Sequence, residues 1–125
     1  MAAMSDYLET QLLNLTLRAT PYTAPPTVYA GLFGGDPTDT GTGATEVAIA
    51  RQPVAFDAPT AEGKCANSGD INWTGMPAGG VTHIGLFDDA TGGNMLYHGP
   101  LAAAKNVNEG DTLTVYAGDL EVTLA

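Results

Sequence analysis

The sequence predicts a single mainly β domain: an antiparallel β-sandwich or small jelly-roll-like barrel carrying one N-terminal α-helix. Three observations carry that prediction. Gly 16 and Pro 8 interrupt the 125-residue chain too often for a helical bundle. Short apolar runs recur between turn signals at a spacing of roughly 8–12 residues, the pattern of a sandwich or small barrel. Helical periodicity is confined to one segment near the start of the sequence. The length fits one domain, residues 1–125, with a helix over 6–18, a Pro-rich connecting arm over 19–27 and the sandwich over 28–125.

The helix begins where Asp6 is followed three residues later by Glu9, the form of a capping box with Asp as the cap. Leu8, Leu12 and Leu15 recur at helical spacing and are joined by Leu13 and Leu17, while Glu9, Gln11, Asn14 and Arg18 are polar. Arg18 in the last turn suits the negative end of the helix dipole. Pro21, Pro25 and Pro26 cannot continue the helix and impose an extended arm.

Beyond the arm the chain reads as strand and turn. Residues 28–33 (VYAGLF) are a continuous apolar run, as expected of a strand covered on both faces. A polar, turn-rich loop follows over 34–43. Residues 46–56 read as a strand with Val47 and Ile49 alternating and Pro53 marking an edge or bulge. Residues 65–73 alternate around Ile71 and Trp73. A second strong run, 81–87 (VTHIGLF), turns through 88–94 into a hairpin partner over 95–101. Leu113 and Val115, then Leu120, Val122 and Leu124, form two last strands, with Gly118-Asp119 expected as the tight turn between them. Gly31-Leu32-Phe33-Gly34 is echoed by Gly85-Leu86-Phe87-Asp88, a repetition read as convergent strand chemistry, since two copies do not make a repeat array.

Charge narrows the partners. Lys and Arg number 4 against 14 Asp and Glu, a net charge of -10. Four cations in so negative a field cannot neutralise a run of phosphates, which excludes nucleic acid as the partner. The same repulsion excludes an anionic membrane surface. No apolar run approaches the ~20 residues that span a bilayer, and no basic stretch precedes an apolar one at the start, so a soluble protein without a cleavable export signal is expected. Cys65 is the sole cysteine, so neither an internal disulfide nor a cysteine zinc cluster can form. A single cysteine of this kind reads as a small buried hydrophobe.

No catalytic, cofactor-binding or metal-binding residue is assigned. Asp36 with Asp39, and Asp88 with Asp89, lack the alternating carboxylates and final Glu of a calcium loop and read as Asx-turn residues. His83 and His98 lie on strands expected to pair, but a zinc site needs further ligands. Ser5 and Ser68 sit in no nucleophile elbow. The pairs Gly34-Gly35, Gly79-Gly80 and Gly92-Gly93 lack the Lys and Ser/Thr of a phosphate loop. Tyr7, Tyr22, Tyr29, Tyr97 and Tyr116 are scattered along the chain, and tyrosine is enriched where an interface is partly apolar and partly wet.

The chain resembles a family of small tailed-phage virion proteins, commonly labelled tail fibre or minor structural proteins. The resemblance covers nearly the whole chain. Its landmarks are Tyr7-Leu8-Glu9-Thr10 with Leu13, Asn14 and Leu17-Arg18, then Tyr22-Thr23 and Pro26-Thr27-Val28-Tyr29. They continue with Leu32-Phe33, Asp36-Pro37-Thr38-Asp39, Glu46-Val47, and Ala50-Arg51-Gln52 before Val54 and Phe56. The most diagnostic stretch is Val81-Thr82-His83-Ile84-Gly85-Leu86-Phe87-Asp88, followed by Ala90-Thr91-Gly92-Gly93-Asn94, Leu96-Tyr97-His98-Gly99 and Leu101. Val107-Asn108 and Gly110-Asp111-Thr112 complete it. The chain departs from the family pattern at residues 75–80 and at Pro53, which bears on local loop conformation only.

The resemblance implies a non-enzymatic virion structural protein, made in the host cytoplasm and needing no cofactor. The leading expectation is a capsid decoration (cement) protein on the outer head surface, stabilising contacts between major capsid subunits. An acidic protein suits a surface facing away from packaged DNA, and its short loops and scattered tyrosines suit protein contacts. The major capsid protein is the expected partner, and a homo-oligomer, with a trimer as one form, is expected because such proteins commonly form one. Tyr7, Leu8, Leu12 and Arg18 on the helix, Tyr22, Pro25 and Pro26 on the arm, and the scarce cation Arg51 are the expected interface. The alternative is a tail-associated fibre or adhesin recognising a host glycan, with Trp73 and Tyr97 as the stacking candidates. A third reading is an enzyme using Cys65 with a histidine.

Overall fold

The computed structural model describes residues 2–124. In chain order the elements are β1 (Ala3–Met4), α1 (Asp6–Leu17), β2 (Val28–Phe33), β3 (Gln52–Val54), β4 (Lys64–Ala66), β5 (Ile71–Trp73), β6 (Gly79–Phe87), β7 (Met95–Val107), β8 (Leu113–Val115) and β9 (Glu121–Thr123). They make one five-stranded sheet, ordered β1-β7-β6-β2-β3, and two two-stranded ribbons, β4-β9 and β5-β8. Every pairing is antiparallel. Ile71, Trp73, Leu113, Leu120 and Val122 of the ribbon region pack with Ala30, Leu32, Ile84 and Leu86 of the main sheet in one core. The arrangement is therefore sandwich-like and built from open sheets, the mainly β class with one N-terminal helix that the sequence predicts.

The two apolar runs become the central neighbours β2 and β6, buried on both faces because each face carries half of an alternating set. Ala30, Leu32, Ile84 and Leu86 point into the main core. Phe33 and Phe87 point the other way and form a smaller cluster with Met95. The echoed Gly-Leu-Phe segments turn out to pair with each other, Gly31 opposite Gly85. This gives the repetition a physical reason. A Cβ on Gly85 would lie 2.9 Å from the Phe33 ring and 3.1 Å from the Phe87 ring. Bare backbone at that position lets the two rings stack, with centroids 6.1 Å apart and planes at 22°.

Several sequence expectations need correction. The helix cap is Ser5, not Asp6: its hydroxyl accepts from the Leu8 amide at 3.2 Å and donates to the Met95 carbonyl at 2.5 Å. Residues 46–51 are not strand. Only Gln52–Val54 pairs as a strand, at the sheet edge, where Pro53 leaves no interior ladder bond unmade, while Glu46 and Phe56 make single bridges to Phe33 and Asn67. The segment before it is instead held by Arg51 and by the Val47 amide on the Leu32 carbonyl. Residues 65–73 divide between two ribbons. The hairpin partner β7 runs on to Val107, and its register slips so that Thr82 of β6 faces residues 101–104 of β7.

The last two strands do not form a hairpin. Leu113–Val115 pairs with β5, and Glu121–Thr123 pairs with β4. The cause is Asn67, buried in the connection between β4 and β5. Its Nδ2 donates to the carbonyls of Gly69 and Tyr116, and its Oδ1 accepts from the Leu120 amide at 2.9 Å. Gly118, with φ 84, turns the chain around that side chain and donates to the Asn67 carbonyl. One amide side chain thereby steers the two strands into different ribbons.

Candidate functional site

Most of the expected interface residues sit on one edge of the molecule, formed by α1, the arm after it and the loop between β2 and β3. The Ser5 amide donates to the Leu96 carbonyl and the Asp6 amide to the Asp39 carbonyl, so the start of α1 is tied to both β7 and that loop. From there the helix runs outward. Leu8 is its buried residue, while Tyr7 and Leu12 are half-buried. The helix ends at Arg18, whose amide donates to the Asn14 carbonyl, and Ala19 then takes a left-handed φ of 53 to reverse the chain. That conformation usually falls to glycine.

On the arm, Tyr22 and Pro25 are half-buried and Pro26 is exposed. Burial raises the Tyr22 phenol above its ordinary value of 10.0, and the neighbouring charges of Tyr7, Asp88 and Tyr97 push the same way. Burial also raises Tyr97, with a smaller push from Cys65.

Two of the expected interface residues have their contacts within the chain. Leu8 is buried against the fold. Arg51 is only 10% exposed. Its Nε and Nη2 donate to the two carboxylate oxygens of Glu46 at 2.8 and 2.9 Å, and Nη1 donates to the carbonyls of Asp89 and Gly92. The guanidinium lies 3.5 Å from the centre of the Phe87 ring. With four donor contacts and one face used inside the chain, Arg51 is a clamp on the 88–94 turn rather than a cation offered to a neighbour.

The helix residues that the expected interface leaves out are Leu13, Leu15 and Leu17, 58%, 42% and 76% exposed, with Leu13 and Leu17 the barest. The helical wheel contains the signal: Leu8, Leu12 and Leu15 share one side, whereas Leu13 and Leu17, four residues apart, fall on the other. Beside the same helix, Asp6, Glu9 and Asp39 bring three exposed carboxylates within 4.8 Å of one another. Asp39 also meets the buried His98 ring, Nε2 to Oδ1 at 2.7 Å, while Asp36 lies 3.6 Å from Nδ1. Asp36 accepts from the Thr38 amide and Asp89 from the Thr91 amide, the Asx-turn geometry expected of them, whereas Asp88 closes the longer loop by accepting from the Asn94 amide and side chain.

Of the two stacking candidates, Tyr97 is half-buried at the edge of an apolar groove. Trp73 is fully buried and offers no face to a sugar. Cys65 lines an apolar groove of about 370 Å³ together with Phe56, Leu86, Leu96, Tyr97 and Val122. That groove opens on the core side of the main sheet. His83 and His98 align with Phe33 and Gly85 and so face the opposite side, which separates the thiol from both imidazoles.

The family model described as Podophage GP4 fiber I protein gp80 matches residues 3–123. The chain belongs to that family. No curated protein matches it. Membership in the gp80 family makes the chain a small phage virion structural protein of fibre-like type, and the family is not a known class of enzyme. Among the described residues, no helix is long and apolar enough to cross a membrane.

Proposed function

We propose that this gp80-family chain is a fibre-type component of the tailed-phage virion that works by protein–protein contact. The observation that carries the reading is the family match across residues 3–123, to a protein described as a fibre. The geometry supports contact as the mechanism: α1 carries leucines outward on a face that the rest of the fold leaves uncovered. Burying such side chains against a neighbour stabilises the assembly by roughly 1.5–3 kcal/mol for each one fully covered. Trp73 lies inside the core, which removes one of the two side chains that stacking on a glycan would use.

A second reading keeps the outer head surface as the location and the major capsid protein as the partner. The net charge of -10 favours it, since a surface of that sign is repelled by packaged DNA and suits an outward position. Stoichiometry in purified particles separates the two. A fibre-type component follows the symmetry of the tail, whereas a decoration protein follows the capsid lattice.

A further inference from the structure

We propose that α1 is a self-association helix. Two copies of the chain pair their helices antiparallel about a two-fold axis, Leu13 and Leu17 of each packing on the other, with Arg18 of each set on the other's Asp6–Glu9–Asp39 carboxylates. The partner named here is a second copy of this chain; because the pairing covers the same leucines as the contact proposed above, it rests on that reading and names its occupant, while the isolated chain in solution tests it apart from any particle.

The fold leaves some of its charged groups unmatched. Of the four Lys and Arg residues, Arg51 pairs with Glu46, Lys64 lies 3.7 Å from Glu121, and Lys105 is exposed on β7, away from α1, with no ion-pair partner among the described residues. Arg18 is exposed and has no ion-pair partner among the described residues. Asp6 and Glu9 likewise meet no cation there, although their carboxylates crowd together with Asp39. A free cation thus stands at one end of α1 and a concentrated negative patch at the other, with the exposed leucines between them.

Helical spacing makes this arrangement self-complementary. At 1.5 Å per residue, Glu9 and Arg18 are about 13 Å apart along the axis. An antiparallel pair centred between residues 13 and 14 places residue 9 of one helix beside residue 18 of the other, twice over. The same centring brings Leu13 and Leu17 of each helix across from Asn14 and Thr10 of its mate, so the leucines interleave. A parallel pair would instead set the two acidic ends side by side. The antiparallel, isologous arrangement satisfies both the apolar and the charged parts of the surface, as the parallel one does not. One short helix pair is smaller than a standard interface and works against the net negative charge of each copy. A weak dimer is therefore expected, with a Kd of roughly 10–100 µM.

Sedimentation equilibrium over a concentration series tests this with the full chain. The wild type is expected to move from monomer to dimer across that range. Leu13→Gln with Leu17→Gln keeps good helix formers at exposed positions and is expected to weaken dimerisation about 100-fold through lost apolar burial, with an unchanged circular dichroism spectrum and Tm. Arg18→Glu is expected to weaken it about tenfold or more, and adding Glu9→Lys to that variant is expected to restore most of the loss. A wild type that stays monomeric throughout overturns the proposal. So does an oligomer whose stability the two leucine substitutions leave unchanged, or an odd-numbered assembly, or a charge swap that rescues nothing.

Discussion

Replacing Arg51 with Ala removes one side chain and unties three parts of the fold together. The two oxygens of Glu46 lose their bidentate partner, the carbonyls of Asp89 and Gly92 lose a shared donor, and the Phe87 ring loses the cation above it. A hydrogen bond to a charged group is worth about 1.5–3 kcal/mol net when buried. Glu46 is 27% exposed, so water takes over part of its loss and the pair stands well below that ceiling. The carbonyl contacts and the ring contact each add roughly 0.5–1 kcal/mol. Together these place Arg51→Ala at about 3 kcal/mol less stable than wild type, near 10 °C in Tm for a domain of this size. Arg51→Lys keeps the charge but neither the fork nor the flat stack, so about half of that loss remains. Urea unfolding of both variants, together with Glu46→Gln and the double variant, measures the coupling directly. If Arg51→Ala unfolds within about 0.5 kcal/mol of wild type, the clamp is not holding the turn, and Arg51 is better understood as a residue serving a neighbouring chain.

Asn67→Leu is expected to cost about 2–4 kcal/mol in urea unfolding, because the Leu120 amide and the Tyr116 carbonyl lose their buried partner; a neutral result would mean that the two ribbons do not depend on that side chain. Gly85→Ala is expected to lower Tm by several degrees, since the added methyl meets the Phe33 and Phe87 rings at about 3 Å, whereas Gly75→Ala meets no atom and is strained only by its positive φ. The Tyr97 phenol is raised above its ordinary value of 10.0 in the folded chain, so the unfolded chain loses that proton first. Stability should then be full below pH 10 and fall as pH rises from there toward the folded-state value. Tyr97→Phe should flatten part of that alkaline decline in thermal melts, and an identical decline in both proteins would exclude the mechanism.

What the sequence made legible was local. The β2 and β6 runs could be placed because continuous apolar strands of that length need cover on both faces, and the 88–94 turn because Asp88 and Asn94 carry turn chemistry in their own side chains. The α1 boundaries were close for a similar reason, although Ser5 rather than Asp6 supplies the cap. What escaped was decided at long range. The separation of β8 from β9 depends on Asn67, some fifty residues away, and nothing in the alternation of Leu113, Val115, Leu120 and Val122 reveals it. The alternation of Val47 and Ile49 imitates a strand, yet it comes from a segment whose apolar side chains reach the core while its backbone follows Glu46 and Arg51. Arg51 looked free because two of its partners are backbone carbonyls 38 and 41 residues further on. The exposed leucines were readable from the helical wheel. Grouping all five leucines as one stripe concealed that Leu13 and Leu17 turn away from the body and that Leu15, past the end of the packed surface, is exposed as well.

On the proposed reading the chain serves as a fibre-type virion component through its exposed helical edge. Cryo-electron microscopy of the intact particle tests it most directly, because location, symmetry and contacts are read from one map. The expected result is density for this fold at the tail, with α1 and the exposed Leu13 and Leu17 packed against protein. Density lining the inner head surface, against the genome, or a copy bound through another face with α1 open to solvent, would contradict the account.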